Sequence, residues 1–345
     1  MNGTSGTVTR GRGRQRPGIA DVADLAGVSA TTVSHTLSGR RAVSEASRAK
    51  VLAAISELGY RPNQTAASLR TQRTYTVALI IPDITNPYYP TVARGLQDVL
   101  GPAGYLSVIC NTDGDHDVER DYLEQMVSRP VDGVVIAAFR TEPAQFKTLL
   151  DAGIPVVMLG DTSDTDVSDQ VMTDDRTGTA EATRYLLDQG ITRIGFIDGE
   201  FGVGPGDQRV AGYHDALLSC GVRIDPDLLV TTDYTRQGGV DGLTCLLNLP
   251  DPPRAVLCAN DLIAIGALDV ARDRGLQVPR QLAIVGFDDI EAAAMVTPPL
   301  TTVVNPGYEL GRTCGQLLLS RITEDFTGPR RQIVIPTRFI TRSSA

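Results

Sequence analysis

Ile19-Ala20-Asp21-Val22-Ala23-Asp24-Leu25-Ala26-Gly27-Val28-Ser29-Ala30-Thr31-Thr32-Val33-Ser34-His35-Thr36-Leu37 is two short helical patterns separated by a tight break. Ile19, Val22, Ala23 and Leu25-Ala26 form one apolar stripe at helical spacing, and Gly27 interrupts it. Ser29 is placed to cap a second helix over Ala30–Leu37, with Val33 and Leu37 facing inward. Gly39 ends that helix. A third starts at Ser44, runs through Val51, Leu52, Ile55 and Leu58, and stops at Gly59, where a left-handed glycine is expected. Three short helices with a turn of three or four residues between the first two predict an all-α helix-turn-helix domain over residues 18–61.

Outward from this head, the charge divides. Residues 1–74 carry a balance of +7, and the remaining 271 residues carry −16. A basic head on an acidic body points to a polyanion-binding module joined to a second activity. Residues 1–17 are polar, with Arg10, Arg12, Arg14 and Arg16 alternating with small or polar residues. They are expected to form a disordered basic arm, either a plain solvated tail or one that adds phosphate contacts. Residues 62–74 are a short polar segment in which Asn63 can cap about two turns of helix and Leu69 is the one large apolar side chain. So short a helix is marginal alone.

From residue 75 the rhythm changes. Short β-rich runs at Val77–Ile81, Leu106–Cys110, Val134–Ala137, Val156–Leu159, Ile194–Ile197, Leu228–Thr231, Ala255–Cys258 and Ala283–Val285 alternate with helical patterns such as Tyr89–Leu100, Val118–Val127, Gly178–Leu187 and Ile263–Arg272. The alternation predicts an α/β body of parallel, doubly wound sheets over residues 75–345, long enough to split into two lobes.

Several classes are set aside. The five cysteines are scattered without a CxxC pair and read as small buried hydrophobes, and the three histidines hold no ligand spacing, so neither a metal nor a cofactor is expected. No apolar run approaches a membrane span or follows the N-terminal arginines as a secretory signal would, so the expectation is a cytoplasmic, nucleoid-associated protein with no membrane partner. Gly202-Val203-Gly204-Pro205-Gly206 fails the spacing of a dinucleotide loop, and Pro205 removes an N–H that a phosphate would need. It reads as a surface excursion. With no P-loop, no G-x-S-x-G and no nucleophile–base pair, the chain is not expected to be an enzyme.

The run Ile19–Ser29 resembles the start of LacI/GalR-type transcriptional regulators. Thr32-Val33-Ser34, Val43-Ser44, Leu58-Gly59-Tyr60-Arg61-Pro62-Asn63, Ile80–Tyr89, Arg209-Val210-Ala211-Gly212-Tyr213, Ala259-Asn260-Asp261, Gly286-Phe287-Asp288-Asp289 and Pro298-Pro299-Leu300-Thr301-Thr302 match in register, so the resemblance covers residues 19 to about 341. It implies a DNA-binding head, a hinge helix and a two-lobed, periplasmic-binding-protein-like core. Ala30, Thr31 and His35 then stand where base edges are read in the major groove, and Thr32 and Ser34 where phosphates are met. His35 departs from the family's usual Arg, so the operator sequence is not transferable. Asn63, Ala66 and Leu69 fall on the hinge helix, with Leu69 at the position of a minor-groove wedge.

In such a core, side chains at the carboxyl ends of strands face the ligand cleft. Those positions hold Asp83, Asn86, Tyr88, Tyr89, Arg209, Tyr234, Asn260, Asp288 and Asn305. Asn260 and Asp288 could equally cap helices. Carboxylate, amide and guanidinium groups pair with vicinal hydroxyls and tyrosine faces stack on a ring, which favours a sugar or related polyol, with a nucleoside second. Ala137 and Gly160 stand where relatives often place polar contacts, which makes part of the cleft less polar. The expected partners are thus operator DNA, a small-molecule effector and a second copy of the chain. No leucine-heptad tail follows Phe339-Ile340, so a dimer is expected, not a tetramer. The competing class is a solute-binding protein without gene control, which the basic head argues against.

Overall fold

A computed structural model describes residues 17–38, 41–61, 73–129, 131–137, 143–160, 168–199 and 205–345. The chain divides into two compact units, residues 1–73 and 74–345.

In the first unit, α1 (Ile19–Ala26), α2 (Ala30–Ser38) and α3 (Glu45–Leu58) enclose a small core of Val22, Ala23, Ala26, Val33, Val51 and Ala54. Gly27 adopts φ +64° and ends α1, with the Val28 N–H reaching back to the Ala23 carbonyl at 3.0 Å. Ser29 caps α2 by accepting the Thr32 N–H at 3.1 Å. Ser44 and Gly59 bound α3 as expected. Four residues assigned to the apolar stripes are exposed instead: Ile19, Leu25, Leu37 and Leu52. Leu25 and Leu52 sit about 100° around their helices from the buried stripe, the rotation of a single residue. Ile19 and Leu37 are on the stripe, but at the outer ends of their helices.

The second unit opens with β1 (Thr76–Ile81), α4 (Tyr88–Leu100), β2 (Leu106–Asn111), α5 (His116–Ser128), β3 (Gly133–Ile136), α6 (Pro143–Asp151), β4 (Val156–Leu159) and β5 (Asp169–Thr173). It continues with α7 (Asp175–Asp188), β6 (Ile194–Gly199), α8 (Pro205–Ser219), β7 (Leu229–Thr232), α9 (Arg236–Leu247), β8 (Ala255–Cys258), α10 (Asp261–Asp273), β9 (Ala283–Asp288), α11 (Glu291–Met295) and β10 (Thr301–Val304). Last come α12 (Gly307–Ile322), β11 (Gln332–Ile335) and β12 (Arg338–Ile340). Two six-stranded sheets result, ordered β11-β5-β4-β3-β1-β2 and β12-β10-β9-β8-β6-β7, parallel throughout except for the β10–β12 pair. Each therefore repeats the same doubly wound order, reversing direction between its first and third strands, where ligand crevices form. The inner strands are apolar on both faces because helices cover both, and Val77–Ile81 is almost wholly buried.

The chain crosses between the lobes three times, at residues 173–175, 304–307 and 335–338. After the second crossing α12 returns to the first lobe and lies against α4 so closely that a methyl group on Gly95 or Gly311 would run into the Tyr308 or Val92 carbonyl oxygen. Cys314, Leu317 and Leu318 of α12 join Val77 and Leu79 in that lobe's core. The first and third crossings are tied where the Asp174 N–H donates to the Ile335 carbonyl (3.0 Å) and the Thr337 hydroxyl to the Asp174 carbonyl (2.8 Å). Of the cysteines, Cys110, Cys258 and Cys314 are buried as expected, whereas Cys220 and Cys245 are exposed, the first in the turn after α8 and the second on the outer face of α9.

Asp169 holds this return together. Its buried carboxylate accepts two hydrogen bonds from Arg321 (2.8 and 3.0 Å) and two from Arg331, through the backbone N–H and Nη2 (2.7 and 2.6 Å). Burial alone would raise this carboxyl, but the two arginines overcome it and bring it down to about 2. Its contribution is therefore present above the unfolded-state value near 3.9 and is lost as pH falls through about 2. Asp169→Asn should cost about 3 kcal/mol at pH 7. In thermal unfolding monitored by circular dichroism, the gap to wild type should close between pH 4 and pH 2.

Candidate functional sites

On α2, Val33 and Thr36 turn inward, while Ala30 and Thr31 are exposed and Ser34 and His35 half-buried on the opposite side. That leaves a small, mostly polar outer face at the N-terminal end of the helix. Thr32 takes part in the cap, its hydroxyl 2.9 Å from the Ser29 hydroxyl, and its carbonyl accepts from Thr36. Asn63, Ala66 and Leu69 lie outside the described residues, as do most of the N-terminal arm and Gly202–Gly204.

Within the second unit, the carboxyl ends of strands from both lobes converge on a cavity of about 660 Å³ including its open mouth. Eight of the nine expected ligand residues line it: Asn86, Tyr88, Tyr89, Arg209, Tyr234, Asn260, Asp288 and Asn305. Asp83 does not, because its carboxylate turns onto the Thr85 N–H (2.8 Å) and hydroxyl (2.6 Å) and shapes the bend leading to Asn86. Gly160 also lines the wall, without a side chain, whereas Ala137 does not.

Arg209, on the second turn of α8, is 5% exposed, and its guanidinium is fixed on three sides. Nε donates to Asp175 at 2.8 Å, Nη1 donates to the Ala259 carbonyl, and the plane stacks over Phe287 with 3.8 Å to the ring centroid. Nη2 has no bond among the described residues and is the edge left for a ligand. Burial would draw a proton from this group, but Asp175 and Asp288 nearby outweigh it and the guanidinium stays charged.

Asp288 ends β9 and caps no helix; Ile290 stands at the start of α11 instead. Its carboxylate accepts from the Asn305 amide at 3.0 Å, and the Asn305 carbonyl oxygen accepts from the Tyr88 hydroxyl at 3.1 Å. This chain joins α4 of the first lobe, the second crossing and β9 of the second lobe. Asn260 does cap: it accepts the Ile263 N–H at 2.8 Å, and its amide donates to the Tyr234 carbonyl at 3.2 Å. Tyr88 and Tyr89 meet edge to face, 5.4 Å between centroids, and both are raised above the usual phenol value, first by burial and then by Asp288.

Sequence reasoning missed Leu159, Thr173, Asp175, Gln208 and Leu310. Asp175 was readable only as one of two acids before a helix, and Leu310 arrives from α12 through the return crossing. Asp198, at the end of β6, was also missed. It lies against the start of α8, near Tyr234, and burial raises it to about 6. No group of three acidic, Cys or His side chains suited to a metal occurs among the described residues, and no described helix is long and apolar enough to cross a membrane.

Burial also raises Asp288 to about 6, with Arg209 and Asn305 opposing and Asp175 adding to the rise. A carboxylate that must accept hydroxyl hydrogen bonds is competent above that value and lost below it. Affinity for a neutral hydroxylated ligand should therefore weaken as pH falls from 7.5 to 5, and Asp288→Asn should bind weakly with a flatter profile. Calorimetric titration across that range checks this; a wild-type affinity unchanged by pH would exclude it.

Residues 18–63 match the family model "Bacterial regulatory proteins, lacI family", and residues 74–343 match "Periplasmic binding proteins and sugar binding domain of LacI family". The chain is 38% identical over 319 residues to the ribose operon repressor of Escherichia coli (strain K12), covering 92% of this chain and 97% of that one. Among solved structures, a transcriptional regulator CelR–cellobiose complex is 33% identical, with a TM-score of 0.73 over 96% of this chain and 100% of that one. A LacI family transcriptional regulator from Enterococcus faecium with bound ribose is 30% identical, with a TM-score of 0.71 over 78% of this chain and 98% of that one.

Proposed function

The chain belongs to the LacI family of bacterial regulatory proteins, and from that premise we propose that it is a cytoplasmic transcriptional repressor whose operator affinity is set by a sugar or related polyol held between its lobes. The observation that carries the ligand class is the pairing of a fixed, partly unsatisfied guanidinium at Arg209 with the Asp288–Asn305 acceptor and donor pair across one cavity. Vicinal hydroxyls are both donors and acceptors, and such a set satisfies both at once. Tyr88, Tyr89 and Tyr234 supply flat apolar faces for the C–H surface of a ring. Three tyrosines around one cavity also favour a nucleoside as the second reading.

At the DNA, Ala30, Thr31 and His35 are assigned to base edges in the major groove, and Thr32 and Ser34 to phosphates. Asn63, Ala66 and Leu69 are assigned to the hinge, with Leu69 as the minor-groove wedge. The operator is a double-stranded pseudo-palindrome and the binding form a homodimer. Support for the dimer comes from the outer edge of the first sheet, where β2 leaves Leu106, Val108 and Ile109 exposed. An apolar edge strand of this kind is ordinarily covered. A ligand that prefers one degree of lobe closure shifts that equilibrium and, through it, operator affinity.

Selection of bound fragments from a random duplex pool by the full chain should enrich a palindrome with a deformable centre, and Arg209→Ala should enrich the same palindrome while losing its response to sugars. No enrichment, with or without added metabolites, would overturn the regulator reading.

A further inference from the structure

The bend from β9 into α11 is strained backbone at the cavity. Asp288 has φ +113° and Asp289 φ +58°, two successive non-glycine residues in the left-handed region. Such conformations persist only where the surroundings hold them. Two groups outside the cavity do so here. Arg342, just beyond β12, donates from Nη2 to the Asp289 carboxylate at 2.6 Å and from Nη1 to the Leu300 carbonyl at 2.8 Å. Its backbone N–H is itself anchored on the Thr301 hydroxyl at 2.9 Å. Asp261, fully buried at the start of α10, accepts the Ile290 N–H at 2.9 Å and the Thr302 hydroxyl at 2.6 Å. The bend is thus held at Asp289 from the segment after β12 and at Ile290 from α10, and both holding groups are themselves anchored on β10.

We infer that Arg342 and Asp261 are positioning residues for the ligand site, holding the Asp288-Asp289 bend so that the Asp288 carboxylate faces the cavity. Neither residue lines the cavity, so neither is placed to touch a ligand there. The inference rests on the proposed role of Asp288 as the ligand's acceptor. If the Arg342–Asp289 pair is broken, the bend relaxes toward ordinary dihedrals, and the carboxylate leaves its place among Asn305, Arg209, Asp175, Tyr88 and Tyr89 for a more hydrated one.

The position of Asp288 can be read without any ligand, from its titration by ¹³C-carboxyl NMR in the full chain, the signal being assigned by its loss in Asp288→Asn. Arg342→Ala and Arg342→Met should each lower its midpoint by about half a pH unit or more toward the ordinary carboxylate range, against the rise that loss of a nearby cation alone would give, whereas Arg342→Lys should keep the wild-type midpoint. An unchanged or raised midpoint in both Arg342→Ala and Arg342→Met would overturn the inference. Should Arg342→Ala fail to unfold cooperatively, Arg342→Met alone decides. D-ribose is the second probe: its affinity should fall about tenfold in the same two variants, the loss expected for one misplaced charged acceptor. If wild type binds no ribose, ribose is excluded as its ligand while the titration still decides the positioning role.

Discussion

Three crossings of one chain between two sheets constrain everything else in the ligand-binding unit. A single connection would let the lobes drift apart. Three, laced by Asp174 to Ile335 and Thr337, hold the two sheets to one another at a shared seam. They also decide which residues can meet. Thr173 and Asp175 come from the first crossing and Asn305 from the second, so the cavity is built partly from the hinge itself. The Tyr88–Asn305–Asp288 chain spans both lobes through that hinge, which places a ligand hydrogen-bonded there where lobe closure is set.

Charge is organised around the same point. Arg209 is the cation of the cavity wall, with Asp175 against it and Asp288 and Asp198 nearby. Both Asp288 and Asp198 are pushed to about 6 because burial outweighs what opposes it, Arg209 and Asn305 at Asp288, the Gly199 N–H and Arg209 at Asp198. A ligand offering several hydroxyl donors relieves that excess of acceptors, as a purely apolar one would not. The cost of holding Asp288 in a left-handed bend is met by groups outside the cavity, a division of labour common where geometry matters more than local stability.

Much of the fold could be read in the sequence because its signals are local. Gly27, Ser29, Ser44 and Gly59 bound the head's helices by capping and left-handed turns, and uninterrupted apolar runs such as Val77–Ile81 mark strands buried on both faces. What escaped depends on distant partners. The β5 strand begins Asp169-Gln170, both 2% exposed, which looks unlike a buried strand until Arg321 and Arg331 arrive from more than 150 residues away. Likewise β11 and β12 become strands only by adding to sheets made of earlier chain. In the site, residues that follow the strands in order were legible from the strand-end rule. Asp175 and Leu310 were not, since they enter through crossings that no local pattern announces. Asp83 was misplaced for the opposite reason: a local hydrogen bond to Thr85 claims a carboxylate that the strand-end rule assigns to the ligand.

On the proposed function, ligand occupancy between the lobes and operator binding by the head draw on one equilibrium. Linkage makes this reciprocal: if the sugar changes operator affinity, saturating operator must change sugar affinity by the same factor. The most direct measurement is titration of D-ribose into the full chain, alone and with a saturating excess of its selected duplex. The dissociation constants should differ by roughly 5- to 150-fold between the two conditions, matched by the effect of ribose on duplex affinity. Equal constants with and without duplex, from a chain that binds both, would contradict that linkage.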